Sequence, residues 1–429
     1  MRTKTSVAIF AFLILCGSAF ADGQHGAVSD DDLKARVEAL EKRQGDNLVV
    51  DERGHKYHPI HSIYGLKISG GVTLTGQMPS RGKTGNQRAG VALSADLALE
   101  SGVGDSGRVV LVLDFQRGTL AQGMPTFFTA PNGNTTGPNA DIESFNDNNA
   151  HLTQAYYEHE FSKPLAASIG QLDITGYFDA NKFANNERTQ FLANLFVNNP
   201  AVEFGGSPNF YGPGLRLSIA PAGFIDLTAG AFEGDGDWVN SFDAPFLMAE
   251  ADVKAKPAGM EGNYRFYYWR LSGRGAANLP NTANPSDASL EKAANEGVGM
   301  SIDQKLNDNV GVWLRMGKQR HRVSRFDRHA SAGLHLSGAI VGRSEDAAGI
   351  AYGITSMGRT YRGYLKSSNP QFNAGHEHYF ELYYNIAIGS ATGNTGFHIT
   401  PDIQYVMNPG GDTAASKEVI YGIRLQTFF

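Results

Sequence analysis

The sequence predicts an all-β fold: a 16-stranded antiparallel transmembrane β-barrel preceded by a short N-terminal periplasmic helix that forms a coiled coil. Three observations carry this. Apolar and polar residues alternate with a period of two from Tyr64 onward, a pattern that sets every second side chain against an apolar medium. The connections between these segments are alternately long and short. The final segment, 417–429, stops in mid-strand, with Val419, Tyr421, Ile423, Leu425 and Phe429 on one face and Glu418, Gly422, Arg424 and Gln426 on the other. Its edge needs a partner, and in a barrel the strand beginning at Tyr64 supplies it. An edge strand of a soluble sandwich is the alternative, but a sandwich has no reason to alternate its connections so regularly.

Composition is compatible with the barrel. Of 429 residues, 19% are charged, the net charge is −6 and Gly contributes 51 residues. A helical membrane protein needs apolar runs of about 20 residues, which the slightly negative mean hydropathy of −0.29 argues against. Barrel strands are only half apolar and pass that test. The near balance of charge gives nucleic acid nothing to bind.

Residues 1–21 read as a signal peptide. Arg2 and Lys4 are its basic end, 7–15 its apolar stretch and Ala19-Phe20-Ala21 its cleavage site. The single cysteine, Cys16, lies within it. Residues 22–63 are a periplasmic segment. Ser29 and Asp32 can cap a helix that carries Leu33, Val37 and Leu40 at a/d spacing. Two heptads are too short to stand alone, so the expectation is a small coiled coil within a trimer. The linker after it holds His55, His58 and His61, a weak candidate set for a transition metal; a hydrated linker is the simpler reading.

Residues 64–429 are the barrel. Strands are expected near 64–77, 88–100, 107–117, 151–161, 166–175, 213–220, 223–233, 246–256, 261–273, 296–305, 309–317, 331–341, 349–357, 377–389, 397–407 and 417–429. Pro221-Ala222-Gly223, Asn307-Asp308-Asn309 and Ser162-Lys163-Pro164 are tight turns, whereas 118–150, 175–212, 274–295 and 358–376 are long and polar. Short periplasmic turns opposite long external loops are the asymmetry of outer-membrane barrels.

The final third carries a resemblance. Phe397-His398-Ile399-Thr400-Pro401-Asp402-Ile403-Gln404-Tyr405, then Asn408-Pro409-Gly410-Gly411 and Tyr421-Gly422-Ile423-Arg424, resemble the C-terminal hairpin of the carbohydrate-selective outer-membrane porin family. Ala155-Tyr156-Tyr157-Glu158 and Ile169-Gly170-Gln171-Leu172-Asp173 are similar to its fourth and fifth strands. The resemblance implies a sixteen-stranded channel for passive diffusion of sugars, with no cofactor and no catalytic residue. Channels of the same build for anions or other small solutes, and a non-conducting barrel that tethers or adheres, are the competing readings. The terminal Phe429 resembles the residue by which barrel-assembly machinery recognises its clients.

Alternation assigns faces. Asp402, Gln404, Glu250, Asp252, Lys254, Asp96, Asp114, Glu158, Glu160, Arg216, Asp303, Arg315, Glu381 and Arg424 point to the lumen. Strand 261–273 carries aromatics on both faces, and Arg270 is provisionally turned inward. The connection 175–212 holds Phe178, Phe183, Phe191, Phe196, Phe204 and Phe210 with Arg188 among them, too many rings for external water, so it is expected to fold into the barrel mouth or, as the alternative, to pack on the loops of neighbouring subunits. The pore-lining and solute-binding set is therefore Glu158, Asp173, Arg188, Phe191, Arg216, Arg270, Arg315, Asp402 and Arg424. The basic stretch 318–330 is expected to be an external loop that bridges lipopolysaccharide phosphates.

Overall fold

In a computed structural model, residues 49–50, 56–57, 61–63, 65–80, 89–121, 126–127, 150–162, 164–204, 211–234, 242–272, 294–388 and 396–428 are described. The signal peptide, the coiled coil, His55, His58 and Phe429 lie outside them. His61 belongs to a short strand, His61–Ile63, that hairpins onto the first barrel strand.

Sixteen strands form the barrel: β1 Leu66–Pro79, β2 Gly90–Val103, β3 Gly107–Thr119, β4 Ala150–Ser162, β5 Leu165–Asp173, β6 Tyr211–Ala222, β7 Ile225–Glu233 and β8 Pro245–Ala255, followed by β9 Gly262–Leu271, β10 Asn295–Lys305, β11 Val310–Gln319, β12 Phe326–Ser337, β13 Ala347–Met357, β14 His376–Ile388, β15 Gly396–Met407 and β16 Glu418–Phe428. Each pairs antiparallel with its sequence neighbour, and β16 closes on β1 from Phe428↔Gly71 to Ile420↔Pro79. Closure satisfies the backbone of both terminal strands, which lipid would leave unpaired.

The pleat sorts the side chains. Leu74, Leu93, Phe115, Ile169, Leu215, Leu217, Leu247, Phe266, Leu334, Ile350, Leu382, Ile403 and Ile423 are exposed on the outside. Thr73, Ser94, Asp114, Glu158, Ser168, Glu250, Asp303, Glu381, Asp402 and Arg424 are on the inside, and buried. An outer surface of this kind suits lipid, and an inner one suits water and polar loops.

One strand departs from expectation. β12 begins at Phe326 and ends at Ser337, earlier than the expected 331–341. Ser324-Arg325-Phe326-Asp327-Arg328-His329 reads as a loop because charges occupy both faces. After Ser337 the chain winds through a 3₁₀ turn, Gly338–Val341, that ends on Gly342 at φ 78°. Only glycine adopts that backbone at little cost. The basic stretch 318–330 is thus not a loop. Lys318 lies at the end of one strand, which stops at Gln319, Arg328 near the start of the next, which begins at Phe326, and 320–325 alone connect them. The long connection between β13 and β14 carries an exposed helix, Arg359–Ser368, where a polar loop is expected.

Candidate functional site

The connection after β5 turns into the lumen at once. Asp173 ends the strand, and its carboxylate accepts from the Thr175 amide (3.0 Å) and hydroxyl (2.7 Å). This caps the short helix α1, Ile174–Tyr177. Asp173 is buried in that duty, so its expected place in the pore lining is corrected to a loop anchor. Phe178 then stands edge-on to Phe232 of β7, centroids 6.1 Å apart. A cluster including Phe178, Val202, Phe204, Phe232, Phe246, Tyr267 and Trp269 fastens both ends of the segment to the inner wall. Full burial of each such side chain contributes about 1.5–3 kcal/mol.

A buried charged pair holds the segment just after its first turn. Asp179 and Arg315 of β11 are both fully buried, with Arg315 Nε 3.0 Å from the Asp179 carboxylate. Asp179 also accepts from the Asn199 amide (2.6 Å) and the Tyr267 hydroxyl (2.7 Å). The rest of the Arg315 fork donates to the carbonyls of Asp179 (2.9 Å), Ala184 (3.0 Å) and Phe196 (2.5 Å). Asp179 sits at φ 60°, a conformation that aspartate tolerates better than most residues. Burial pushes the Asp179 carboxyl above its ordinary range, and the guanidinium opposes that shift.

Farther on, Glu381 of β14 accepts from the amides of Leu192 (2.5 Å) and Ala193 (3.0 Å). They precede the single-turn helix α2, Asn194–Val197. Phe191 and Phe196 pack among Trp313, Tyr379 and Tyr383, the Phe191 ring edge-on to Tyr383 at 4.9 Å. Arg424 of β16 donates to the Glu187 carbonyl at 2.6 Å. Arg188 pairs with Asp96 of β2. From β5, then, the segment makes contacts with the inner faces of β8, β11, β14, β16 and β2 in turn.

Five further expectations are corrected. Phe191, Arg315 and Arg424 face inward, but packing seals all three from the lumen; they hold the loop instead of meeting a solute. Asp402 is also buried, beside Gln404, whose amide nitrogen lies 3.2 Å from it. Arg270 points outward, because Tyr267, Trp269 and Leu271 take the inner face of β9. It pairs there with Glu296 at 3.1 Å, the two side chains 50% and 37% exposed.

The wall from β1 to β6 carries a chain of charges. Lys67 lies 2.9 Å from Glu100, Arg108 bridges Glu100 (3.4 Å) and Glu158 (2.8 Å), and Arg216 meets Glu158 at 2.5 Å. Arg216 also lies 4.0 Å above the Tyr177 ring and donates to Ser168 Oγ at 3.0 Å. Glu158 and Arg216 were expected here. Lys67, Glu100 and Arg108 were not singled out, although Glu100 shares its parity with Asp96, and Arg108 with Asp114. A second inner group joins Arg265 of β9 to Asp303 (2.6 Å) and Asp252 (3.2 Å). Between the infolded segment and the β11–β12 connection, a cavity of about 260 Å³ is lined by Thr175, Asn194, Asn198, Glu203, Arg325 and Phe326, among others. Glu203 is half-buried there, 2.7 Å from Asn295 Nδ2, and desolvation raises its carboxyl to about 7. Among the described residues, no cluster of His, Cys, Asp and Glu is arranged to hold a metal.

A family model for carbohydrate-selective porins, the OprB family, matches residues 29–429. The chain belongs to this family. A high-pH structure of Pseudomonas putida OprB superposes with a TM-score of 0.67 over 85% of this chain and 94% of that one, at 16% identity. A low-pH structure of the same protein gives 0.50 over 95% and 100%, at 14% identity. These likenesses establish the fold. An uncharacterized protein of Aquifex aeolicus (strain VF5) is 27% identical over 190 residues, 44% of this chain and 49% of that relative. The OprB-family chain thus spans about half the length of the curated relative it matches.

Proposed function

We propose that the protein is a passive channel through which sugars and comparably small hydrophilic solutes cross an outer membrane. The observation that carries this reading is the infolded segment 174–204 inside a closed barrel. It packs on the inner faces of β8, β11, β14, β16 and β2 and narrows the lumen beside the Lys67–Glu100–Arg108–Glu158–Arg216 wall, where Lys67 and Arg108 are the exposed members. Ion-paired guanidinium and carboxylate groups can exchange part of their bonding for sugar hydroxyls. Phe326 and the amides of Asn194 and Asn198 line the cavity, where an apolar sugar face and its hydroxyls find partners together. Family membership supports carbohydrate over an inorganic anion. On the same reading the molecule is a trimer gathered by the coiled coil at 29–43. The signal peptide exports it, and Phe429 presents it to the assembly machinery.

Planar-bilayer recording tests this. Purified protein gives stable conductance steps, and glucose or maltodextrin reduces the current in a concentration-dependent way. Arg216→Ala keeps the steps and weakens the block. Steps with strong chloride preference and no effect of sugar reject the carbohydrate assignment, and an absence of steps rejects the channel.

A further inference from the structure

The outer face of β9–β13 has a feature that diffusion through the lumen does not use. Strand register lines up two transverse rows there. The row nearer the external loops runs Tyr268, Val298, Lys318, Arg328, Ser356 across five neighbouring strands. The next row toward the membrane centre runs Phe266, Met300, Met316, Ala330, Ile354. Together they line a groove of about 690 Å³.

We propose that this groove is a binding site for an acylated, phosphorylated lipid of the outer leaflet, of the lipopolysaccharide class. Lys318 and Arg328 are directly opposite one another, both exposed and both outward. Like charges so placed destabilise a sheet, and lipid beside them makes the cost greater. A phosphate seated between them removes the repulsion and gains charge-assisted hydrogen bonds. The acid beside Arg328 is Asp327 at 3.6 Å, only 15% exposed and set in the bulge where register shifts between Phe326 and Arg328. Glu296, one row farther out, is engaged with Arg270. The apolar row lies below the cations, where acyl chains attached to that phosphate hang toward the membrane centre. A second copy of this chain is the weaker occupant, since described residues on this face offer no exposed acid except Glu296 to answer two cations. The inference rests on the outer-membrane reading.

The experiment uses the full-length protein in detergent with diphosphoryl lipid A as the probe, measured by native mass spectrometry and thermophoresis. Lys318→Ala with Arg328→Ala weakens binding about tenfold or more, while Lys318→Arg with Arg328→Lys retains it. Dephosphorylated lipid A binds the parent as poorly as lipid A binds the double-alanine variant. Equal lipid A affinity of parent and double-alanine variant overturns the proposal. So does full displacement by millimolar inorganic phosphate, which would mark a simple anion site, or a change of oligomeric state in the variant without a change in lipid binding, which would mark a subunit interface. Conductance and sugar block stay unchanged in the variant. Failure of this site is thereby distinguishable from failure of the channel reading.

Discussion

At the scale of single residues, direction relative to the wall is not the same as access to solute. Arg315 points inward as its parity requires, yet it meets three carbonyls and a carboxylate of the infolded segment and no solvent. Removing one partner of such a buried pair typically costs about 3–5 kcal/mol, because the other charge is left uncompensated. Arg315→Ala should therefore release residues 179–199 without opening the barrel. Hydrogen exchange would show their amides unprotected and the strand amides unchanged. Arg315→Lys should rescue little, since three donors on a flexible stem do not reproduce a planar fork. Full protection in the alanine variant would remove Arg315 from its anchoring role.

At the scale of elements, segment 174–204 is fixed to the inner wall by aromatic clusters at its ends and at its middle, with polar pairs between them. Glu203 makes that attachment depend on pH. Desolvation raises its carboxyl from 4.5 to about 7, so the folded state prefers the neutral acid. The associated stability is fully present below about pH 4.5 and is lost as pH rises through about 7. Exchange at 199–204 should accelerate between pH 5 and pH 8 beyond the intrinsic chemical rate, and Glu203→Gln should flatten that dependence. A parent protein with no such extra acceleration would argue against desolvation of this acid. Strand β12 teaches a related lesson. Its start carries Asp327, Arg328 and His329, and these belong to a strand because each serves a different side: Arg328 outward, His329 inward against Thr355 at 3.0 Å.

At the scale of the whole molecule, the barrel depends on the β16–β1 seam. Leu425 pairs with Leu74 across the seam and with Ile399 of β15. Proline there removes a ladder donor in a strand that has no free edge. Leu425→Pro should abolish the compact, heat-modifiable species seen by gel electrophoresis without boiling. Thr427→Val, on the outward face, should leave it intact. A normally folded proline variant would mean that closure does not depend on this ladder.

The sequence by itself determined the number of strands, their approximate limits and the sidedness of their residues. Period-two alternation is a local property, enforced residue by residue through contact with lipid or water, and 397–407 or 417–429 display it without any knowledge of the rest of the chain. Family resemblance rested on the same local strings. Tertiary structure alone decided which inward residues meet water. Phe191, Arg315, Asp402 and Arg424 are sealed by packing, whereas Arg216, of the same inward parity as Arg315, keeps its side chain 14% exposed beside the Tyr177 ring. It also decided Arg270, since β9 has aromatics on both faces and only packing against the infolded loop selects Tyr267 and Trp269 for the inside. The pairing of Lys318 with Arg328 needed strand register, which depends on where β12 begins, and charge on both faces had hidden that boundary from the periodicity.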